Sequence, residues 1–197
     1  IGLGPADAKT GLGLDWSHTQ LSLFNVSNFS DPQRADVLSL SPVTDTEDGW
    51  NWAWSEATWE HKAFQYWAPK GMLAVPLSTY KYDYWYDETG QYHWEYEWIS
   101  KLMIINVSEE GLSIHGEVNH SSFYETDENY WWNSYNVRRS IFMGDYIYAI
   151  SHAGITVTNL DTMELSASVQ LVTPTAFDHS SNTDGVETDE TEEKADG

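Results

Sequence analysis

The sequence contains no cysteine. Disulfides, thiolate metal sites and cysteine nucleophiles are therefore excluded, and either redox compartment suits the chain. Basic residues are scarce too: 9 Lys and Arg stand against 31 Asp and Glu, a formal net charge of -22 over 197 residues. Binding to a phosphate backbone depends on Lys and Arg, so nucleic acid and anionic membrane surfaces are set aside as partners. No apolar run approaches the roughly 18 residues of a membrane-spanning helix, so membrane insertion is not expected. The start shows no basic-plus-apolar export signal, and its opening IGLGPADAKTGLG lacks an initiator Met, which is compatible with a leader on an earlier part of a longer chain. Phosphate loops, dinucleotide fingerprints and nucleophile elbows are missing. The seven His show no paired ligand spacing, so no zinc or copper site is expected.

What is present is the composition of a globular chain, 41% hydrophobic and 15% aromatic. Residues 178–197, DHSSNTDGVETDETEEKADG, differ: eight carboxylates, one Lys and no aromatic ring. So little apolar surface cannot offset chain entropy, which predicts an acidic disordered tail after an ordered region 1–177.

Within the ordered region, short Val, Ile, Leu, Tyr and Phe runs recur between Gly, Asn, Asp and Pro turn signals, with almost no helical period. The expected class is all-β. The runs also repeat. One unit reads HKAFQYW, APKG, MLAVPL, KLMIINV, LSIHGEV; another reads RRSIFM, GD, YIYAIS, GITVTNL, LSASVQL. Each has four strands, a to d, and a third strand ending in Asn-Val or Asn-Leu. Ahead of them QLSLFNVSNFSDPQRADVLSLS supplies a third and a fourth strand alone. Repeated four-stranded antiparallel units indicate a partial β-propeller of about two and a half blades: a half blade at 14–42, a blade at 59–120 and a blade at 136–173. A Greek-key sandwich is the rival, and it lacks internal copies. Closed rings take about four to eight blades. The outer sheets would expose apolar faces, so the remaining blades are expected from the same longer chain or from a partner chain.

The pieces LSLFNVSNFSDPQ, SEATWEHKAFQYW, MLAVPL and VRRSIFMGDYIYAIS resemble a family of secreted archaeal and bacterial proteins with a C-terminal β-propeller domain, distantly related to WD-repeat propellers. The matching pieces span roughly Gly2 to Leu171. The resemblance implies an exported propeller of which this chain covers later blades, secreted or at the cell surface, extracellular or periplasmic. It implies no catalytic residue. Two departures stand out: Glu60 precedes His61 where Asp is the family's residue, and the segment between strands b and c is far longer than the pattern requires.

That segment, TYKYDYWYDETGQYHWEYEW at residues 79–98, predicts an inserted hairpin of period two. Tyr80, Tyr82, Tyr84 and Tyr86 share one side of the outgoing strand; Tyr92, Trp94, Tyr96 and Trp98 share one side of the return. If the strands pair with these sides aligned, eight rings lie together. Such a face either packs over the propeller or stands open to a sugar chain or an extracellular protein, since Tyr and Trp join large apolar area to polar edges. Two further clusters precede strand a of each full unit. They place Trp50, Trp52, Trp54, Trp131 and Trp132 at one end of the propeller, as plugs or as a groove.

For polar groups, Glu56, Glu60 and His61 near one strand a and Arg138, Arg139 near the next predict a structural network, with Asp145 as a further carboxylate. Calcium is the only cofactor considered: Asp45, Glu47 and Asp48 offer closely spaced oxygens but no full calcium loop. The sequons at Asn25, Asn28, Asn106 and Asn119 suit turns or glycosylation. The expected function is a non-catalytic, exported binding or assembly module making contacts through aromatic loops. The alternative is a polysaccharide-acting hydrolase using two carboxylates on the propeller face, which leave no local spacing signature.

Overall fold

The computed structural model describes residues 1–7, 14–42, 49–120, 123 and 136–171. Residues 178–197, Trp131, Trp132, Asp45, Glu47 and Asp48 lie outside the described residues. Among those described there are twelve strands and three short 3-10 turns, and no α-helix.

The strands form three antiparallel sheets, each built from consecutive segments. The first holds β1 (Gly2–Asp7), β2 (Leu14–Asn25) and β3 (Gln33–Ser39) in that order. The middle sheet holds β4 (Trp50–Trp54), β5 (Gln65–Trp67), β6 (Met72–Tyr86), β7 (Tyr92–Ser108) and β8 (Gly111–Asn119), ordered β4-β6-β7-β8 with β5 also on β6. The last holds β9 (Arg139–Met143), β10 (Tyr146–Ile150), β11 (Gly154–Asn159) and β12 (Leu165–Gln170), each beside its chain neighbour. Such meanders are the pattern of consecutive propeller blades.

The repeat is visible in the hydrogen bonds. The residue six before each strand-ending Asn (Asn25, Asn106, Asn159) is Thr19, Ser100 or Ala153. Their carbonyls accept from the N–H groups of Leu40, His120 and Leu171 at 2.9, 3.0 and 2.8 Å. The turn into the second strand of a unit repeats as well: Gly71 and Gly144 both sit at φ 60. A Cβ on Gly71 would lie 2.9 Å from the Val107 carbonyl oxygen, so space and backbone conformation both select glycine there.

The middle sheet is covered on both faces, which explains why MLAVPL is a continuous apolar run rather than an alternating one. Met72, Ala74, Leu102 and Ile104 pack with Ile147, Ala149 and Leu160 of the last unit. Leu73, Val75, Leu77, Met103 and Ile105 pack with Leu21 and Leu40 of the first. Neighbouring residues of one strand thus enter different cores, as a period of two requires. Burying each Leu, Ile, Val or Met side chain among them contributes about 1.5 to 3 kcal/mol. Polar ties join the layers: the Thr19 hydroxyl donates to the Ala53 carbonyl at 2.7 Å, and Asp36 Oδ2 accepts from the Leu112 N–H at 2.7 Å.

Two details differ from the sequence reading and a third refines it. The first unit has three strands, because Gly2–Asp7 pairs with β2 from Gly2↔Ser22 to Asp7↔Leu14, with a bulge between Pro5 and Ala6. GLGPAD has no apolar alternation and contains Pro, which suits an edge strand and hides it from pattern reading. Of HKAFQYW only Gln65–Trp67 is strand; His61–Ala63 is a 3-10 turn whose Lys62 N–H is capped by Glu60 at 3.0 Å. The aromatic segment is an extension of the blade's own second and third strands: β6 and β7 run without a break for 15 and 17 residues.

Candidate functional site

Past the blade, β6 and β7 keep their pairing to the tip, through Tyr80↔Trp98, Tyr82↔Tyr96, Tyr84↔Trp94 and Tyr86↔Tyr92. Directly paired residues share a sheet face, so all eight rings lie on one side. The tip is held by Asp87, whose Oδ1 accepts from the Thr89 N–H (2.9 Å), the Thr89 hydroxyl (2.6 Å) and the Gln91 N–H (3.0 Å). Its other oxygen meets His93 Nε2 at 2.9 Å. These bonds, the Thr89 hydroxyl foremost and then His93, hold the Asp87 carboxyl well below the usual carboxylate range. Gly90, at φ 80, completes the turn.

β4 joins the same surface through Trp50↔Tyr82, Trp52↔Tyr80 and Trp54↔Ser78. The three tryptophans therefore extend the eight hairpin rings into one three-stranded aromatic face. Trp94 and Tyr96 lie 5.6 Å apart with planes 15° from parallel; Tyr80 and Tyr96, and Tyr82 and Trp94, are similarly aligned at 6.2 and 6.4 Å. Trp50 bridges Tyr80 and Tyr82 at 5.0 and 6.0 Å, and Trp59 stacks on Trp54 at 5.2 Å. The Tyr82 and Tyr92 hydroxyls are 2.6 Å apart. That bond to Tyr82, with burial and neighbouring phenols, pushes the Tyr92 hydroxyl up to about 12.

The face is open. Tyr86 is 66% exposed, Trp94 55% and Trp50 53%, while Tyr80, Tyr82 and Tyr84 of the central strand β6, together with Trp52 and Trp98, are half-buried. Each of its rings is Tyr or Trp, and the paired positions bring no charged residue to this side. The charges lie opposite: Lys81, Asp83, Glu95 and Glu97 share the reverse side with Trp85 and His93, which stack at 5.6 Å. The same two strands are aliphatic where the blade buries them and turn to Tyr and Trp where they leave it.

A polar network stands at the start of β9. Arg138 grips Glu56 with both its Nε and Nη2, at 2.9 and 3.0 Å, and Arg139 Nη1 reaches the same carboxylate at 2.9 Å. Arg139 Nη2 also lies 3.5 Å from Glu60. The Glu56 carboxyl, hydrogen-bonded by Arg138, is held below its ordinary value despite burial. Two members are corrected. Asp145 pairs with Lys70 at 3.1 Å, because the β9–β10 turn puts it at the far end of the strand from the arginines. The His61 side chain points into solvent 3.6 Å from Glu60, carried there by the 3-10 turn.

A family model described as the beta propeller domain matches residues 1–163, the greater part of the chain. The chain belongs to the beta propeller domain family. No curated protein and no solved structure matches it. The propeller domain suggests a binding or scaffold module, and the sheets form an open partial propeller. In this propeller the Glu56 network joins the middle blade to the last one, as the Lys70 pair does at the opposite end of β9. Among the described residues no three His, Asp or Glu side chains gather as metal ligands.

Sequence reasoning missed β4 as a strand. The signal was available: WNWAW alternates with period two, and its Trp positions match the hairpin's aromatic side. It also missed His120, whose ring is fully buried between the middle and last blades. Its Nδ1 is 3.1 Å from the Ser151 hydroxyl and its Nε2 2.8 Å from that of Thr156. Only the packing of two blades creates that site.

Proposed function

We propose that the chain is an exported, non-catalytic propeller module that binds or assembles through its aromatic face. The observation carrying this reading is an open three-stranded surface of Tyr and Trp free of charged residues, in a protein of net charge -22. Such rings combine area with polar edges and lose little rotamer freedom on binding. Export rests on the resemblance to secreted propeller proteins and on an acidic composition that maintains solubility outside the cell. Replacing Tyr82, Tyr84, Trp94 and Tyr96 together by Ser tests the reading. The blade core should stay folded, measured by thermal unfolding, while capture of the natural partner is lost; unfolding of the variant would assign the rings to packing instead.

A second partner is the rest of the ring. The outward side of the last blade carries Ile141, Tyr148 and Val157 in one paired row, with Ile150 and Ile155 in the next. Ile155 and Val157 sit four and two residues before Asn159. The residues four and two before Asn106, Leu102 and Ile104, are covered by the next blade. A further blade, from a longer chain or a partner chain, would cover this side in the same way. The mass and oligomeric state of the native protein distinguish those two sources.

A further inference from the structure

We propose that the aromatic face binds a neutral polysaccharide laid lengthwise along the hairpin. This deepens the binding role proposed above and rests on it. The first argument is charge. Rings alone would also stack nucleobases, but a nucleic acid needs Lys or Arg along its backbone, and the face offers none in a chain of net charge -22. A polycation would draw on carboxylates, yet Glu95 and Glu97 stand on the reverse side. Both signs of charge being absent, the surface fits an uncharged ligand.

The second argument is chemistry. In the two cores β6 and β7 present Leu, Ile, Val, Ala and Met, with Ser78, Thr79 and Ser100 buried where the blade ends; these cores contain no Tyr or Trp among their buried members. Where they leave the blade, every ring on the open side has a hydroxyl or an indole N–H at its edge. A protein-covered sheet gains from aliphatic side chains and has no use for so many polar edges. A pyranose ring presents C–H groups on its faces and hydroxyls around its rim, which complements rings that join an apolar face to a polar edge. The third argument is length. Residues two apart on a strand are spaced about 6.8 Å, so four rows of rings make a track of about 20 Å, suited to a polymer rather than to a single sugar.

The test uses the full chain in affinity electrophoresis and calorimetry, with hydroxyethyl cellulose, laminarin and mannan as neutral probes and alginate and heparin as charged ones. The expected result is retention by at least one neutral polymer, little changed by salt and stronger for oligomers of increasing length. Trp94→Ala and Tyr84→Ala, one row of the track, should each weaken it about tenfold or more. Trp85→Ala, which removes an exposed ring from the reverse side, should leave it unchanged. Retention by charged polymers alone, by no neutral polymer, or equally by the Trp94→Ala variant would overturn the proposal. Failure of the broader reading is recognised separately. If Trp94→Phe does not alter the acrylamide-accessible fluorescence, the face is covered and both readings fall. If a protein partner is captured through Trp94 while every neutral polymer is refused, only the polysaccharide falls.

Discussion

His120 makes the stability of the two-blade interface depend on pH. Its ring is completely buried and faces two hydroxyls, Ser151 and Thr156, with Phe123 packed edge-to-face at 5.0 Å. Removal from water disfavours the imidazolium, and burial pushes the imidazole down to about 4 from its ordinary 6.5. Over that interval the unfolded chain binds a proton that the folded chain refuses. The stabilisation is therefore complete above pH about 6.5, declines as pH falls, and is gone below pH about 4. The interval corresponds to about 3 kcal/mol, an order-of-magnitude figure and a large part of the stability of a domain. Depressed carboxylates such as Glu56 and Asp87 act in the same direction at lower pH, so the comparison must be with a variant. Urea unfolding of the wild-type protein and His120→Gln across pH 4 to 7 isolates the contribution. The wild-type curve should fall more steeply between pH 6.5 and 4, and the two should run parallel elsewhere. Parallel curves over the whole range would refute the burial argument.

Other perturbations read other parts of the fold. Glu56→Gln leaves Arg138 and Arg139 without their shared carboxylate; because both arginines are substantially exposed, we expect a loss of about 1 kcal/mol, smaller in high salt, by chemical denaturation. Leu102→Ala opens space in the core between the middle and last blades and should cost about 2 to 5 kcal/mol, with the last blade's Ile147 losing protection from hydrogen exchange. Tyr82→Phe removes the hydroxyl that raises Tyr92, so a near-ultraviolet phenolate titration should lose a component near 12 as Tyr92 moves down.

Much of the architecture was legible along the chain because its signals are local. Apolar runs bounded by turn residues marked the strands, and repeated Asn-apolar endings marked the units. The two glycines at φ 60 kept the same place in successive units. The period of two in TYKYDYWY and YHWEYEW assigned rings to sides before any pairing was known. Where the reading failed, the cause was local competition or distance. Ser55 and Glu60 caps turned segments before β5 into 3-10 turns, and β1 hid behind Gly and Pro. Asp145 and the arginines were near in sequence, yet a strand's length separates them.

The sequence by itself determined which residues alternate, which runs are dry on both sides, and that the chain carries negative charge and aromatic rings in excess. Those properties follow from residue chemistry and a two-residue period. Only the tertiary structure decided that Tyr80 meets Trp98, that β4 brings three tryptophans to the same face, and that one histidine is sealed between blades. Cross-strand register and layer packing depend on how distant segments close upon one another, and no period within a single strand records that.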